Sequence, residues 1–126
     1  MISLSQFYLF SIIAPTQPAN LSVNSPNSTS IKLIWEPPIY PNGIIKSYTV
    51  TWIEFNATRV GKDGNRIQLG NDTFVHIIGG LSTCILYNIS IFASTRCAGC
   101  DGPPASQSIV TSAESEQSLS NFHSEL

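Results

Sequence analysis

The chain has 126 residues, with six Lys/Arg against eight Asp/Glu for a formal net charge of −2. Charged residues make up 11% and hydrophobic residues 42%, which excludes a disordered polyampholyte, a coiled coil and a charge-rich nucleic-acid binder. The basic residues (Lys32, Lys46, Arg59, Lys62, Arg66 and Arg96) are scattered, so no patch can neutralise a run of phosphates, and a chain of this length suits one domain with one core.

Residues 1–14 (MISLSQFYLFSIIA) lack charge and hold an apolar stretch from Phe7 to Ala14. They read either as a secretory leader, although the basic n-region and the small residue at −3 are missing, or as the remnant of an upstream segment or a misassigned start. At this length they cannot span a bilayer, which takes about 20 apolar residues. No other segment qualifies, so a membrane anchor is expected only outside this sequence.

From Pro15 onward the pattern is that of short strands between turn residues. Asn20-Leu21-Ser22-Val23 alternates briefly. Ser30 to Glu36 alternates with Ile31, Leu33 and Trp35 on one face, Lys32 and Glu36 on the other, and Ile34 as an apolar intruder on the polar side. Pro37-Pro38 ends that run, because proline cannot donate to a ladder, and Pro41-Asn42-Gly43 makes a turn. Ile45 to Glu54 sets Tyr48, Val50 and Trp52 on one face and Ser47, Thr49 and Thr51 on the other. Asn56 to Asp72 is polar apart from Ile67 and Leu69, which predicts one edge strand between loops. Phe74 to Ile78 is an apolar run containing His76, with no carboxylate partner close in sequence; His76 is expected at the core edge. Gly79-Gly80 bends the chain. Leu81, Thr83, Ile85, Tyr87, Ile89, Ile91 and Ala93 then recur at every second position, a long half-buried strand by the period-two rule with Cys84 in the bend that precedes it. A Gly/Pro-rich loop from Arg96 to Pro104 leads to a last strand near Ser106–Thr111. Residues 114–126 have no useful period and are expected to be a disordered tail. About seven strands and no helical moment predict an all-β, two-sheet sandwich.

Nine Asn and 27 Ser/Thr predict about two Asn-x-Ser/Thr sites by chance, yet five occur, at Asn20, Asn27, Asn56, Asn71 and Asn88. The excess points to a glycosylated protein of the secretory pathway, extracellular or at the cell surface. The Cys97-x-x-Cys100 spacing admits three readings. A redox pair needs a helix N-terminus to lower the first thiol's pKa, which Asp101-Gly102-Pro103-Pro104 prevents. A zinc site needs two further ligands, and Cys84, His76 and His123 stand at uninformative spacings. A local disulfide bracing the loop fits an oxidising compartment. Cys84 is left odd, either a buried free thiol or a partner for another chain. No paired carboxylates, no Gly-x-Ser-x-Gly elbow, no phosphate-cradling loop and no Arg-Gly-Asp are present, so no catalysis, cofactor, metal or small-molecule substrate is expected.

The ordered set of Pro15-x-x-Pro18-x-x-Leu21-x-Val23, Trp35-Glu36-Pro37-Pro38, Asn42-Gly43-Ile44-Ile45-Lys46-Ser47-Tyr48-Thr49-Val50, Leu81…Tyr87-x-Ile89-x-Ile91-x-Ala93 and Gly102-Pro103-Pro104-Ala105-Ser106 resembles a fibronectin type III domain over residues 15–113. The resemblance implies a seven-stranded immunoglobulin-like β-sandwich, with Trp35 filling the core and Tyr87 as the tyrosine corner, its hydroxyl bound to backbone upstream and Leu81 beneath it. Thr83 departs from the family's usual proline, and the Cys97/Cys100 loop is atypical. The family topology gathers the Pro37–Ile44 loop, the Arg96–Pro104 loop and the incoming chain at one pole, with Asn71 near it. The implied role is adhesion, spacing or ligand recognition in an extracellular protein, contacting a protein ligand or neighbouring domains of the same chain. Alternatives are an ectodomain piece of a receptor-type enzyme, since the texture resembles receptor protein-tyrosine phosphatases and the Cys loop resembles usherin-type repeats, and an intracellular sandwich of the muscle type.

Overall fold

A computed structural model describes residues 14–55, 65–97 and 100–112. Within them lie seven strands: β1 (Ala19–Asn27), β2 (Ser30–Glu36), β3 (Ile45–Glu54), β4 (Asn65–Gly70), β5 (Val75–Ile78), β6 (Leu86–Thr95) and β7 (Ala105–Val110). They form two antiparallel sheets, one ordered β1-β2-β5 and the other β4-β3-β6-β7. The expected all-β sandwich is the architecture found.

The period-two residues meet between the sheets. Ile31, Leu33 and Trp35 of β2 and Ile78 of β5 face Tyr48 and Val50 of β3 and Tyr87, Ile89, Ile91 and Ala93 of β6, all at most 4% exposed. The Trp35 and Tyr48 rings lie 5.7 Å apart, and Phe74 sets its ring edge against Tyr48 at 5.8 Å. Such tilted and edge-to-face pairs add to the burial energy of the rings. The indole Nε1–H of Trp35 is buried without a hydrogen-bond partner.

Strands β2 and β3 occupy the residues their alternation predicts. Elsewhere the structure departs from the pattern. The alternation from Leu81 to Ala93 is a strand only from Leu86 onward. Cys84 stands at φ 57°, outside the extended region, so residues 81–85 form a turn whose Leu81 and Ile85 still pack on the core. Cys84 is exposed, which overturns a buried thiol. Strand β1 runs longer than its short alternation suggests, because β2 pairs with it as far as Asn27. Its ladder slips between Ala19 and Ser22, where Asn20 takes φ 52°, a conformation asparagine tolerates better than most residues.

The outer face of the four-stranded sheet is less open than its polar sequence implies. Ser47 and Thr49 are only 4% and 3% exposed. Gln68 of β4 donates from Nε2 to the Ser47 hydroxyl at 2.9 Å, and Arg66 stacks its guanidinium over the Phe92 ring at 5.7 Å. Long side chains from the edge strand thus lie across the centre of the sheet.

Candidate functional site

Four segments converge where the chain arrives at the sandwich. The Asn42-Gly43 turn has φ 53° and 148°, and a Cβ on Gly43 would sit 3.3 Å from Thr95 Cγ2, so the turn closes tightly on the end of β6. Thr16 donates its amide to the Tyr40 carbonyl at 3.0 Å, and its hydroxyl accepts the Tyr40 amide at 3.1 Å. Asn42 donates from Nδ2 to the Ala14 carbonyl at 2.8 Å. Asn71, in the turn after β4, donates to the Ile45 carbonyl at 3.3 Å. The incoming chain, the loop between β2 and β3, the turn after β4 and the loop between β6 and β7 therefore share one pole.

The loop before β7 is braced from within. Cys97 and Cys100 form a disulfide, with Cα atoms 5.4 Å apart. The bond is the loop brace expected, and residues 101–104 run on to β7 without a helix, so they supply no helix N-terminus of the kind that activates a redox thiol. The Cys100 carbonyl accepts the Thr95 amide at 3.3 Å, and Asp101 accepts the Ser94 hydroxyl at 2.6 Å. Gly102 donates its amide to the Ala93 carbonyl at 2.9 Å and packs so closely on Pro15 that a Cβ there would strike the Pro15 carbonyl oxygen. The incoming chain is thus held on both sides, by hydrogen bonds to the loop between β2 and β3 and by close packing on Gly102.

The pole exposes three large apolar side chains. Ile39, Tyr40 and Ile44 are 74%, 66% and 62% exposed. The sequence marks this loop by its prolines but does not show that its apolar side chains face water. With Thr16, Gln17, Ala19 and Asn20, Ile39 and Tyr40 line a shallow depression beside the incoming chain. Clustered exposed apolar side chains rimmed by polar ones are the usual mark of a protein contact.

At the opposite end, the Tyr87 hydroxyl accepts the Ser82 amide at 3.0 Å, with Tyr87 buried and Leu81 packed on the same core. A residue that sequence reading passed over completes this corner. Thr111 is 1% exposed; its hydroxyl donates to the Ser82 carbonyl at 2.6 Å and accepts the Ile85 amide at 3.1 Å. A threonine just past the last strand carries no sequence signal of such a role.

The sequon asparagines are dispersed. Asn20 and Asn27 lie on β1, Asn71 in its turn and Asn88 on the outer face of β6. Asn20 donates to Glu36 at 2.8 Å, and Asn27 Oδ1 accepts from the Thr29 amide at 3.0 Å and the Ser30 hydroxyl at 2.8 Å. Asn56, all but Ala14 of the segment 1–14 expected as a leader or upstream remnant, and the expected tail of residues 114–126 lie outside the described residues.

Comparison with known proteins adds independent findings. The family model for the fibronectin type III domain matches residues 15–112. The chain is 40% identical over 87 residues to human Roundabout homolog 2, covering 65% of this chain and 6% of that protein. It is 30% identical over 87 residues to a Drosophila melanogaster cytokine receptor, covering 65% of this chain and 7% of the receptor. The crystal structure of the FN5 domain of Drosophila Lar superposes with a TM-score of 0.65 at 25% identity, over 79% of this chain and 99% of that domain. The chain spans under a tenth of the length of the curated relatives it matches.

Proposed function

The chain belongs to the fibronectin type III family, and from that premise we infer that it is a protein-contact module in the extracellular part of a cell-surface receptor or adhesion protein, with no chemistry of its own. The relatives it matches include a cytokine receptor and a neuronal cell adhesion molecule. The extracellular placement is supported by the Cys97–Cys100 disulfide, which suits an oxidising compartment, and by the excess of Asn-x-Ser/Thr sites. Asn20, Asn27, Asn56, Asn71 and Asn88 are the proposed glycan acceptors.

The observation that carries the contact role is the exposure of Ile39, Tyr40 and Ile44 on a loop that is hydrogen-bonded to the incoming chain. An aromatic and two branched aliphatic residues on a braced loop make an anchor at little ordering cost. The surface they fit is protein, either a ligand or a neighbouring domain of the same polypeptide.

The test has two arms. Peptide mass mapping of unreduced protein secreted from eukaryotic cells should show glycan-bearing sequons and a linked Cys97–Cys100 peptide; bare asparagines with alkylatable thiols would remove the extracellular placement. Binding of the secreted protein to cells displaying candidate ectodomains should fall at least tenfold with Ile39→Ser, Tyr40→Ser and Ile44→Ser combined. It should hold with Ile77→Ser, which alters an exposed residue on β5. Equal effects of the two changes would take the pole out of the contact.

A further inference from the structure

The outer face of the four-stranded sheet carries an open depression away from the contact pole, lined by Thr51, Ile53, Asn65, Arg66, Asn88 and Ser90 among others. Its rim is a sequon, Asn88-Ile89-Ser90. Both polar side chains of that sequon are turned toward β7. The Ser108 hydroxyl donates to Asn88 Oδ1, and the Ser90 and Ser106 hydroxyls pair at 2.8 Å. An amide is planar, with its oxygen and nitrogen diverging on either side of the Cβ–Cγ axis, so Oδ1 leaning toward β7 leaves Nδ2 leaning to the other side. That way lies β3, where Ile53 is the register partner of Asn88. The depression is on the same side, between β6, β3 and β4.

We propose that Asn88 carries an N-linked glycan whose first N-acetylglucosamine residues lie in this depression, over Ile53 and against Thr51 and Arg66. The proposal rests on the extracellular reading above and adds where one glycan sits. The bond forms when the Asn88 amide nitrogen attacks the anomeric carbon of a lipid-linked oligosaccharide. The C–O bond to the lipid diphosphate breaks, and one amide proton leaves with the diphosphate. Nothing is oxidised or reduced.

The lining matches a sugar on both of its characters. Ile53 is 38% exposed and offers an apolar surface to the ring C–H face and the acetamide methyl. Thr51 and Arg66 offer a hydroxyl and a guanidinium to the ring hydroxyls and the acetamide carbonyl. Arg66 is already held in place over Phe92, so little side-chain freedom is lost on contact. The occupant is tethered at the rim, so the contact forms at the high effective concentration of an intramolecular event.

The experiment uses the whole chain secreted from eukaryotic cells, with glycans trimmed enzymatically to a single N-acetylglucosamine. Peptide mapping should find Asn88 occupied, and NMR should find cross-peaks between its acetamide methyl and the Ile53 methyls. Asn88→Gln from the same cells should melt about 4 °C lower than wild type, and the gap should narrow when both proteins are made in bacteria, without glycans, where only the Ser108 contact is disturbed. An empty Asn88 on protein whose other sequons are occupied overturns the proposal and leaves the extracellular reading standing. Occupancy without cross-peaks to Ile53 also overturns it. Secreted protein with every sequon empty removes both.

Discussion

The hydroxyl of Thr111 donates to the carbonyl of Ser82 at 2.6 Å, across 29 residues of sequence. The same Ser82 gives its amide to the Tyr87 hydroxyl. One residue of a turn is therefore held by both of its backbone groups, and the turn that carries positive-φ Cys84 is fixed between the start of β6 and the end of β7. The two side chains satisfy backbone groups that no ladder reaches, which is where loss of a partner costs most.

Tyr87→Phe and Thr111→Val should each destabilise the domain by about 1–3 kcal/mol, because each leaves a backbone group of the turn without a partner. The double variant should depart from additivity by more than about 0.5 kcal/mol, since the two share Ser82. Urea denaturation of the four proteins measures this. Strict additivity would mean that the two contacts do not act as a unit.

Trp35 gives a graded case. Truncation to Ala should cost about 3–5 kcal/mol through the cavity left between the sheets. Trp35→Phe should cost clearly less than that. It keeps an aromatic ring near Tyr48 and removes an indole N–H that is buried without a partner, so part of the packing loss is offset by relief of an unsatisfied donor. Chemical denaturation compares the two variants, and a Phe variant as unstable as the Ala one would contradict this account.

The residues that were legible from sequence are those whose burial follows from their own strand's period. β2 and β3 run from Ser30 to Glu36 and from Ile45 to Glu54 because Ile31, Leu33, Trp35, Tyr48 and Val50 alternate without interruption. Periodicity misleads at Leu81–Ile85, where Tyr87 takes the Ser82 amide and Cys84 leaves the extended region, so inward side chains are delivered by a turn. The burial of Ser47 and Thr49 depends on Gln68 and Arg66 reaching over from β4. Thr111 depends on partners 26 and 29 residues away. Contacts of that kind belong to the pairing of strands, and no local pattern encodes them. The contact pole is a similar case: its prolines and glycines mark a loop, but only the packing of Thr16 on Tyr40 shows that Ile39, Tyr40 and Ile44 are held outward.

His76 makes stability depend on pH. It sits on β5 opposite Leu33, and burial disfavours its charged form, holding its pKa below the ordinary 6.5. As pH falls, the unfolded chain takes up the proton first. The stability that this group contributes is thus complete above about pH 6.5 and is lost as pH drops through the folded-state pKa. Urea midpoints should fall between about pH 7 and pH 5 in the wild type, and His76→Gln should flatten that slope. A variant with an unchanged slope would assign the effect to other groups.

Gly102 connects the fold to the pole. Its amide closes onto Ala93, and the space a Cβ needs is filled by the Pro15 carbonyl. Gly102→Ala must therefore push either the β6–β7 loop or the incoming chain aside. The loop is tied by the Cys97–Cys100 disulfide and by Asp101 to Ser94, whereas the incoming chain is held there by hydrogen bonds to Tyr40 and Asn42. The chain should give way first. The expected result is a loss of about 1–3 kcal/mol, as for other overpacked sites. Amide exchange at Thr16 and Tyr40 should speed up by more than that at Tyr87 and Ile89, whose exchange follows the global stability alone. Because the Thr16 bonds hold Tyr40 in place, the same variant should weaken partner binding even though it touches none of the exposed apolar side chains. Unchanged exchange at Thr16 alongside lost stability would place the strain in the loop instead and separate the pole from the incoming chain.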